Sequence, residues 1–264
     1  MNKQTQKLKL KLRQKEIQHL LYRFRFINRI QIQTLLNHKH SSRIQTWLNE
    51  LTEYGYIRQF YDKKFAPVSS AVYSLGLNGR KFFKNNKKYP DIKPELLDRV
   101  WQEHTYTLQF RNHCVFLVDI YLSLVTLTEK GKAKLNFYTQ TDLYGMEYMI
   151  LDNPDSYFSI EEPTGDIKRY FLDIFDDIKP SVHRKRIRQY FYYYKESYWQ
   201  DHTKKPFPQI LLICPNDKSK NHLYYYIQKK LNDAPELLFY LSTWEKIKTL
   251  GICRESLQKV EVIE

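Results

Sequence analysis

Arg43, Gln45, Thr46 and Asn49 are polar side chains set between the apolar residues Ile44, Trp47 and Leu48. Guanidinium, amide and hydroxyl groups of this kind hydrogen-bond to base edges or to phosphate oxygens. Lys63 and Lys64 follow in a Pro-containing stretch, where ammonium groups would neutralise phosphates. Two carboxylates stand out further along by position alone. Asp155 lies in Asn153-Pro154-Asp155, just ahead of a strand-forming run, and Asp173 lies near the end of Tyr170–Ile174. Taken by themselves, these residues also allow a plainer role, with Asp155 capping a turn and Asp173, Asp176 and Asp177 forming a solvated strand end or the acidic start of a helix.

The histidines carry less. His38-Lys39-His40 has no apolar residue between its imidazoles and sits in a loop, which suits phosphate contact or solvation. His104 and His113 lie nine residues apart, too far for the i, i+4 spacing that puts two ligands on one helix face. No metal is assigned to the histidines. Cys114, Cys214 and Cys253 are scattered, with no Cys-x-x-Cys pair, and read as reduced thiols of a cytoplasmic protein. Tyr190 to Tyr194, after the basic run Arg184 to Arg188, could stack on unpaired bases. Tyr190, Tyr194 and Tyr198, however, share one helix face, so core packing is the favoured reading, leaving Arg184, Arg188 and Lys195 as phosphate contacts.

The elements that must hold these groups follow from periodicity and charge. Residues 1–90 carry 19 Lys+Arg against 4 Asp+Glu, a net of +15, whereas residues 91–264 carry 24 against 25, a net of −1. A field this concentrated captures polyanions, so the N-terminal third is expected to meet phosphate. Ile17, Leu20, Leu21 and Phe24 share a face and predict a first helix; Ile32, Leu35 and Leu36 predict a second, capped by Asn28. A third helix, capped by Ser41 or Ser42 and stopped at Gly55, buries Ile44, Trp47, Leu48 and Leu51 and turns Arg43, Gln45, Thr46 and Asn49 outward. Two strands, Tyr56–Tyr61 and Ala71–Leu75, then flank the loop with Lys63 and Lys64. Helices followed by such a hairpin predict a winged-helix domain over residues 1–86, with the third helix as the reader of double-stranded DNA.

A charged stretch, 87–94, predicts a linker, and residues 95–264 predict an α+β or α/β domain with a mixed sheet. Ser181–Trp199 reads as one long helix. The most apolar stretch, Cys114–Leu127, is short and interrupted by Asp119, so no membrane is expected as a partner.

The Pro-Asp before one strand and the acid ending the next resemble the restriction-endonuclease-like PD-(D/E)xK nuclease core. That resemblance implies that Asp155 and Asp173 hold Mg²⁺, which polarises the scissile phosphate and generates hydroxide, beside a lysine two residues after the second acid. The residue there is Phe175. Lys185 or Arg184 on the next helix could supply a displaced cation, and Glu103 a third metal ligand. The larger arrangement resembles the replication-relaxation family, through Tyr73-Ser74-Leu75 to Gly79-Arg80, Glu103-His104-Thr105, Pro154-Asp155, Phe171-Leu172-Asp173 and Lys185 to Tyr194.

The expectation is therefore a cytoplasmic DNA-binding protein of a plasmid or mobile element, non-catalytic or weakly catalytic, acting in replication, relaxation or transfer. Its expected partner is duplex DNA, with single-stranded DNA and other replication or mobilisation proteins as further candidates. A Mg²⁺-dependent endonuclease using Asp155 and Asp173 and a winged-helix transcriptional regulator are the alternatives; Mg²⁺ is expected only if the nuclease site works.

Overall fold

The computed structural model describes residues 8–61, 70–86, 88–150 and 152–262. Its fold is α+β, with a mixed sheet, and it divides into two compact units, residues 1–119 and 120–264. The stretch 87–94, expected as a linker, lies inside the first unit, and the division falls within a long helix.

The first unit runs α1 (Leu12–Phe24), β1 (Ile27–Asn28), α2 (Arg29–Leu35), α3 (Ser41–Glu53), β2 (Ile57–Phe60), β3 (Val72–Leu75), α4 (Leu77–Lys84) and α5 (Pro94–Gln102). Ile17, Leu21 and Phe24 of α1, Ile32 of α2 and Ile44, Leu48 and Leu51 of α3 are buried together with Trp47. These are the stripes that the periodicity predicts, with Leu20 and Leu35 only half-buried. The Asn28 side chain accepts from the Gln31 N–H at 2.9 Å, and the Gln31 side-chain oxygen accepts the Asn28 N–H in return, a reciprocal cap for α2. Helix α3 starts at Ser41, and His40 takes the cap position without a side-chain bond, in place of the expected serine.

Three short antiparallel strands form a sheet in the order β1-β3-β2, with Phe60 opposite Val72. The segment joining β2 to β3, with Lys63 and Lys64, lies outside the described residues. At Gly79 a Cβ would stand 2.4 Å from the Tyr56 carbonyl oxygen, so a larger residue could not bring α4 this close to β2. Arg80 then ties α4 to α5 by its Nε on Asp98 at 2.6 Å and by resting over the Trp101 ring.

Helix α6 (Leu108–Lys130) is 23 residues long, and by length and composition alone it meets the requirement for crossing a membrane, which the shorter stretch Cys114–Leu127 was expected to miss. Phe116, Val118, Ile120 and Leu124 are buried, and Asp119 accepts from Gln31 Nε2 at 2.6 Å.

The second unit is built on a sheet of β4 (Lys134–Thr139), β5 (Ser156–Glu161), β6 (Ile167–Ile174), β7 (Gln209–Cys214), β8 (Phe239–Thr243) and β9 (Gln258–Lys259), in sequence order. The β4-β5-β6 part is antiparallel, β6-β7-β8 is parallel, and β9 returns antiparallel. Parallel neighbours need crossovers, supplied by α7 (Pro180–Lys195) and α8 (Tyr198–Thr203) between β6 and β7, and by α9 (Asp217–Leu231) between β7 and β8. These helices bury Ile187, Tyr190, Leu223 and Ile227 against Phe171, Leu212 and Phe239 of the sheet. The opposite face meets the end of α6, where Tyr121 lies against Phe137, and α10 (Trp244–Leu250) follows β8.

The single helix expected over Ser181–Trp199 is broken. Ser197 adopts a left-handed φ of 56°, ending α7 and redirecting the chain into α8. The buried stripe of α7 is accordingly His183, Ile187, Tyr190 and Tyr193, whereas Tyr194 is half-buried and Tyr198 is exposed on α8.

Candidate functional site

In the first unit, α3 turns Arg43, Thr46 and Asn49 to solvent, with Gln45 half-exposed, opposite its buried Ile44–Leu51 stripe. A 3.6-residue repeat puts these polar positions on the outer face because the apolar ones hold the inner. Gln45 Nε2 donates to Asn49 Oδ1 at 2.8 Å, and Thr46 Oγ1 bonds back to the Ser42 carbonyl. The amide pair thus presents a preset donor and acceptor pattern. His38 and His40 form a local turn ahead of α3: the His40 N–H donates to His38 Nδ1 at 3.2 Å and the His38 ring packs edge-on against Trp47.

Glu103, also in the first unit, is only 1% exposed. Its carboxylate faces Arg25 Nε at 3.4 Å and Arg99 Nε at 3.7 Å. Burial pushes its pKa up and the two guanidinium groups pull it down, the burial being stronger. Arg25 itself sits at φ 70°, and the Phe26 N–H bonds to the Phe24 carbonyl across it, a tight turn that non-glycine residues seldom adopt.

In the second unit, alternation along β6 sends Phe171, Asp173 and Phe175 to the side of the sheet covered by α7. Asp173 meets Arg186 there, with Nε on Oδ2 at 2.6 Å and Nη2 on Oδ1 at 3.1 Å, while the Tyr190 hydroxyl donates to Oδ2 at 2.8 Å. Arg186 also donates to the Asp152 carbonyl at 2.5 Å. Burial works against the charge on Arg186, but the adjacent Asp173 carboxylate leads the groups that outweigh it and raise the Arg186 pKa. Burial foremost raises the pKa of Tyr190 well above its ordinary value. Asp155 lines the same shallow cleft of about 280 Å³, and its Oδ2 accepts the Ile174 N–H at 2.7 Å.

Lys185 lines this cleft too and is exposed, but the cation that reaches Asp173 is its neighbour Arg186, which the sequence reading passed over. At the position of the nuclease lysine, Phe175 is buried and stacked on His183, ring centroids 4.4 Å apart. Burial lowers the His183 pKa, and its Nε2–H donates to the Asp176 carbonyl.

The residues do not fit a Mg²⁺ site in this arrangement. That ion demands near-octahedral oxygen ligands, whereas both Asp173 oxygens and Asp155 Oδ2 already accept hydrogen bonds. Among the described residues no group of three or more His, Cys, Asp or Glu side chains is placed to hold a metal ion.

A family profile described as Replication-relaxation matches residues 19–210. Neither a curated protein nor a solved structure matches the chain.

Proposed function

The chain belongs to the replication-relaxation family, and from that membership we propose that it is a DNA-binding protein of a plasmid or mobile element, working in replication or relaxation without cutting DNA itself. The first unit acts as a winged helix, with α3 in the major groove and the β2–β3 hairpin as the wing. The observation that carries this reading is the outer face of α3, where Arg43, Thr46 and Asn49 stand exposed on a segment with a net charge of +15 over residues 1–90. Arg43 and the amides have the chemistry for base edges, and the surrounding lysines and arginines that for phosphates.

The second unit has the acidic landmarks of a restriction-endonuclease-like core, but Arg186 takes up the negative charge that Asp173 would otherwise offer to a metal cation. In this reading the Asp173–Arg186 pair holds the cleft together. Duplex DNA is the partner, and cytoplasm the compartment, that suit it.

The test is a mobility-shift titration of duplex fragments with wild type, Arg43→Ala and Asn49→Ala. Sequence-selective binding whose preference changes in the variants supports α3 as the reader. An equal loss on every sequence makes these residues backbone contacts, and no binding at all overturns the proposal. A footprint restricted to the promoter of the protein's own gene would point to a transcriptional regulator.

A further inference from the structure

The antiparallel part of the second sheet displays three cross-strand rows on the face that continues from Phe171. Tyr138 pairs with Tyr157 and Tyr157 with Phe171; Asn136 pairs with Ser159 and Ser159 with Arg169; Lys134 pairs with Glu161 and Glu161 with Ile167. Phe171 lies under α7 and α8, in contact with Tyr190 and Trp199. Nearer the β4 edge this cover ends. Tyr138 is 38% exposed and Tyr157 is half-buried, and between them and the 143–149 segment opens a cleft of about 330 Å³. That is the small end of ligand-binding clefts, which run from about 300 to 1,000 Å³.

The lining is of two kinds. Tyr138, Tyr148 and Tyr157 give it flat aromatic surfaces, Tyr138 and Tyr157 being nearly parallel at 5.8 Å and 24°. Asn136 and Ser159 add an amide and a hydroxyl, and Arg169 and Lys205 bring two cations. The acid at this site, Glu161, is matched by Lys134 at 3.8 Å. A sheet face offering aromatic rings beside hydrogen-bonding groups and cations is the arrangement on which unpaired bases stack while their phosphates meet positive charge. A base in a duplex cannot reach such a surface, because its faces are covered by its neighbours.

We propose that this cleft binds an unstacked base of single-stranded DNA, with Tyr138 and Tyr157 stacking on it and Arg169 and Lys205 taking the adjoining phosphates. The inference rests on the proposed role at DNA for its choice of ligand. It adds a second, strand-selective contact to the duplex contact of the first unit. A protein that acts where a duplex is opened would use both.

The full chain should be titrated, by fluorescence anisotropy, into a labelled single-stranded oligothymidylate and, separately, a labelled duplex. A strand bearing one 2-aminopurine reports stacking by its quenching. Tyr138→Ala and Arg169→Ala are expected to weaken single-strand binding about tenfold each and to relieve the quenching, with duplex binding unchanged. Tyr138→Phe, which keeps the ring, should bind like wild type. Absent single-strand binding, or binding indifferent to Tyr138→Ala and Arg169→Ala, overturns this inference while intact duplex binding leaves the first-unit reading standing. Loss of duplex binding in the wild type with a variant-sensitive single-strand complex does the reverse.

Discussion

Arg186 grips Asp173 with two prongs, Nε to Oδ2 at 2.6 Å and Nη2 to Oδ1 at 3.1 Å, and both side chains are nearly removed from solvent, at 11% and 8% exposure. Planar guanidinium and planar carboxylate match in shape, which a lysine in the same place would not. Removing one partner leaves the other charge buried and uncompensated. Arg186→Ala should therefore destabilise the second unit by about 3–5 kcal/mol, read from urea unfolding. Replacing both, as Asp173→Leu with Arg186→Met, should cost far less. A loss in the double variant equal to the sum of the losses in Asp173→Leu and Arg186→Met alone would show that the pair is not coupled.

The same pair predicts silence in a cleavage assay. Wild type incubated with supercoiled or linear DNA and Mg²⁺ or Mn²⁺ should release no more product than Asp155→Ala, Asp173→Ala or Lys185→Ala. Robust cleavage by the wild type that all three substitutions abolish, with folding and DNA binding retained, would establish the endonuclease alternative instead.

Lys63 and Lys64 are expected to contact phosphates. Changing both to Ala should weaken duplex binding on every sequence and flatten its dependence on salt, by about 0.9 in the logarithmic slope for each phosphate no longer neutralised. Unchanged slope would remove the wing from the interface.

Gly79 is predicted to tolerate no side chain. The Cβ of Gly79→Ala would meet the Tyr56 carbonyl oxygen at 2.4 Å and the Leu75 side chain at 2.8 Å, so α4 must shift, at a cost of about 1–3 kcal/mol. A thermal melt indistinguishable from wild type would contradict the close approach.

Two buried groups pull stability in opposite directions with pH. His183 is held neutral by burial, so its folded pKa lies below the ordinary 6.5 and the unfolded chain binds the extra proton first. Stability from His183 is complete above about pH 6.5 and is lost as pH falls toward the folded pKa. Glu103 has its pKa raised, so its share is complete below the ordinary 4.5 and is lost as pH rises through the folded value. His183→Gln should flatten the fall in unfolding free energy as pH drops below about 6.5, and Glu103→Gln should flatten the opposite trend as pH rises above 4.5. Parallel profiles for wild type and both variants would refute these assignments.

The sequence by itself determined what is local. The apolar stripes of α1 and α3, the Asn28 cap, the strand that Asp155 precedes and the one that Asp173 nearly ends, and the charge gathered in residues 1–90 all depend on neighbours a few positions apart, where a helix or strand period sets which side chains share a face. The family likeness rested on the order of such segments and holds across residues 19–210. Tertiary structure decided which groups meet. Lys185 and Arg186 are adjacent in sequence but about 100° apart around α7, and only packing of that helix on β6 selects Arg186 for Asp173. The break at Ser197, where a non-glycine residue takes a left-handed conformation, has no signal in the tyrosine spacing, and it moves Tyr198 out of the expected stripe. The rows that join Tyr138 to Tyr157 and Ser159 to Arg169 exist because two hairpins fix a register. A shift of one residue would turn every one of those side chains to the other face, and no pattern within a single strand records which register the sheet adopts.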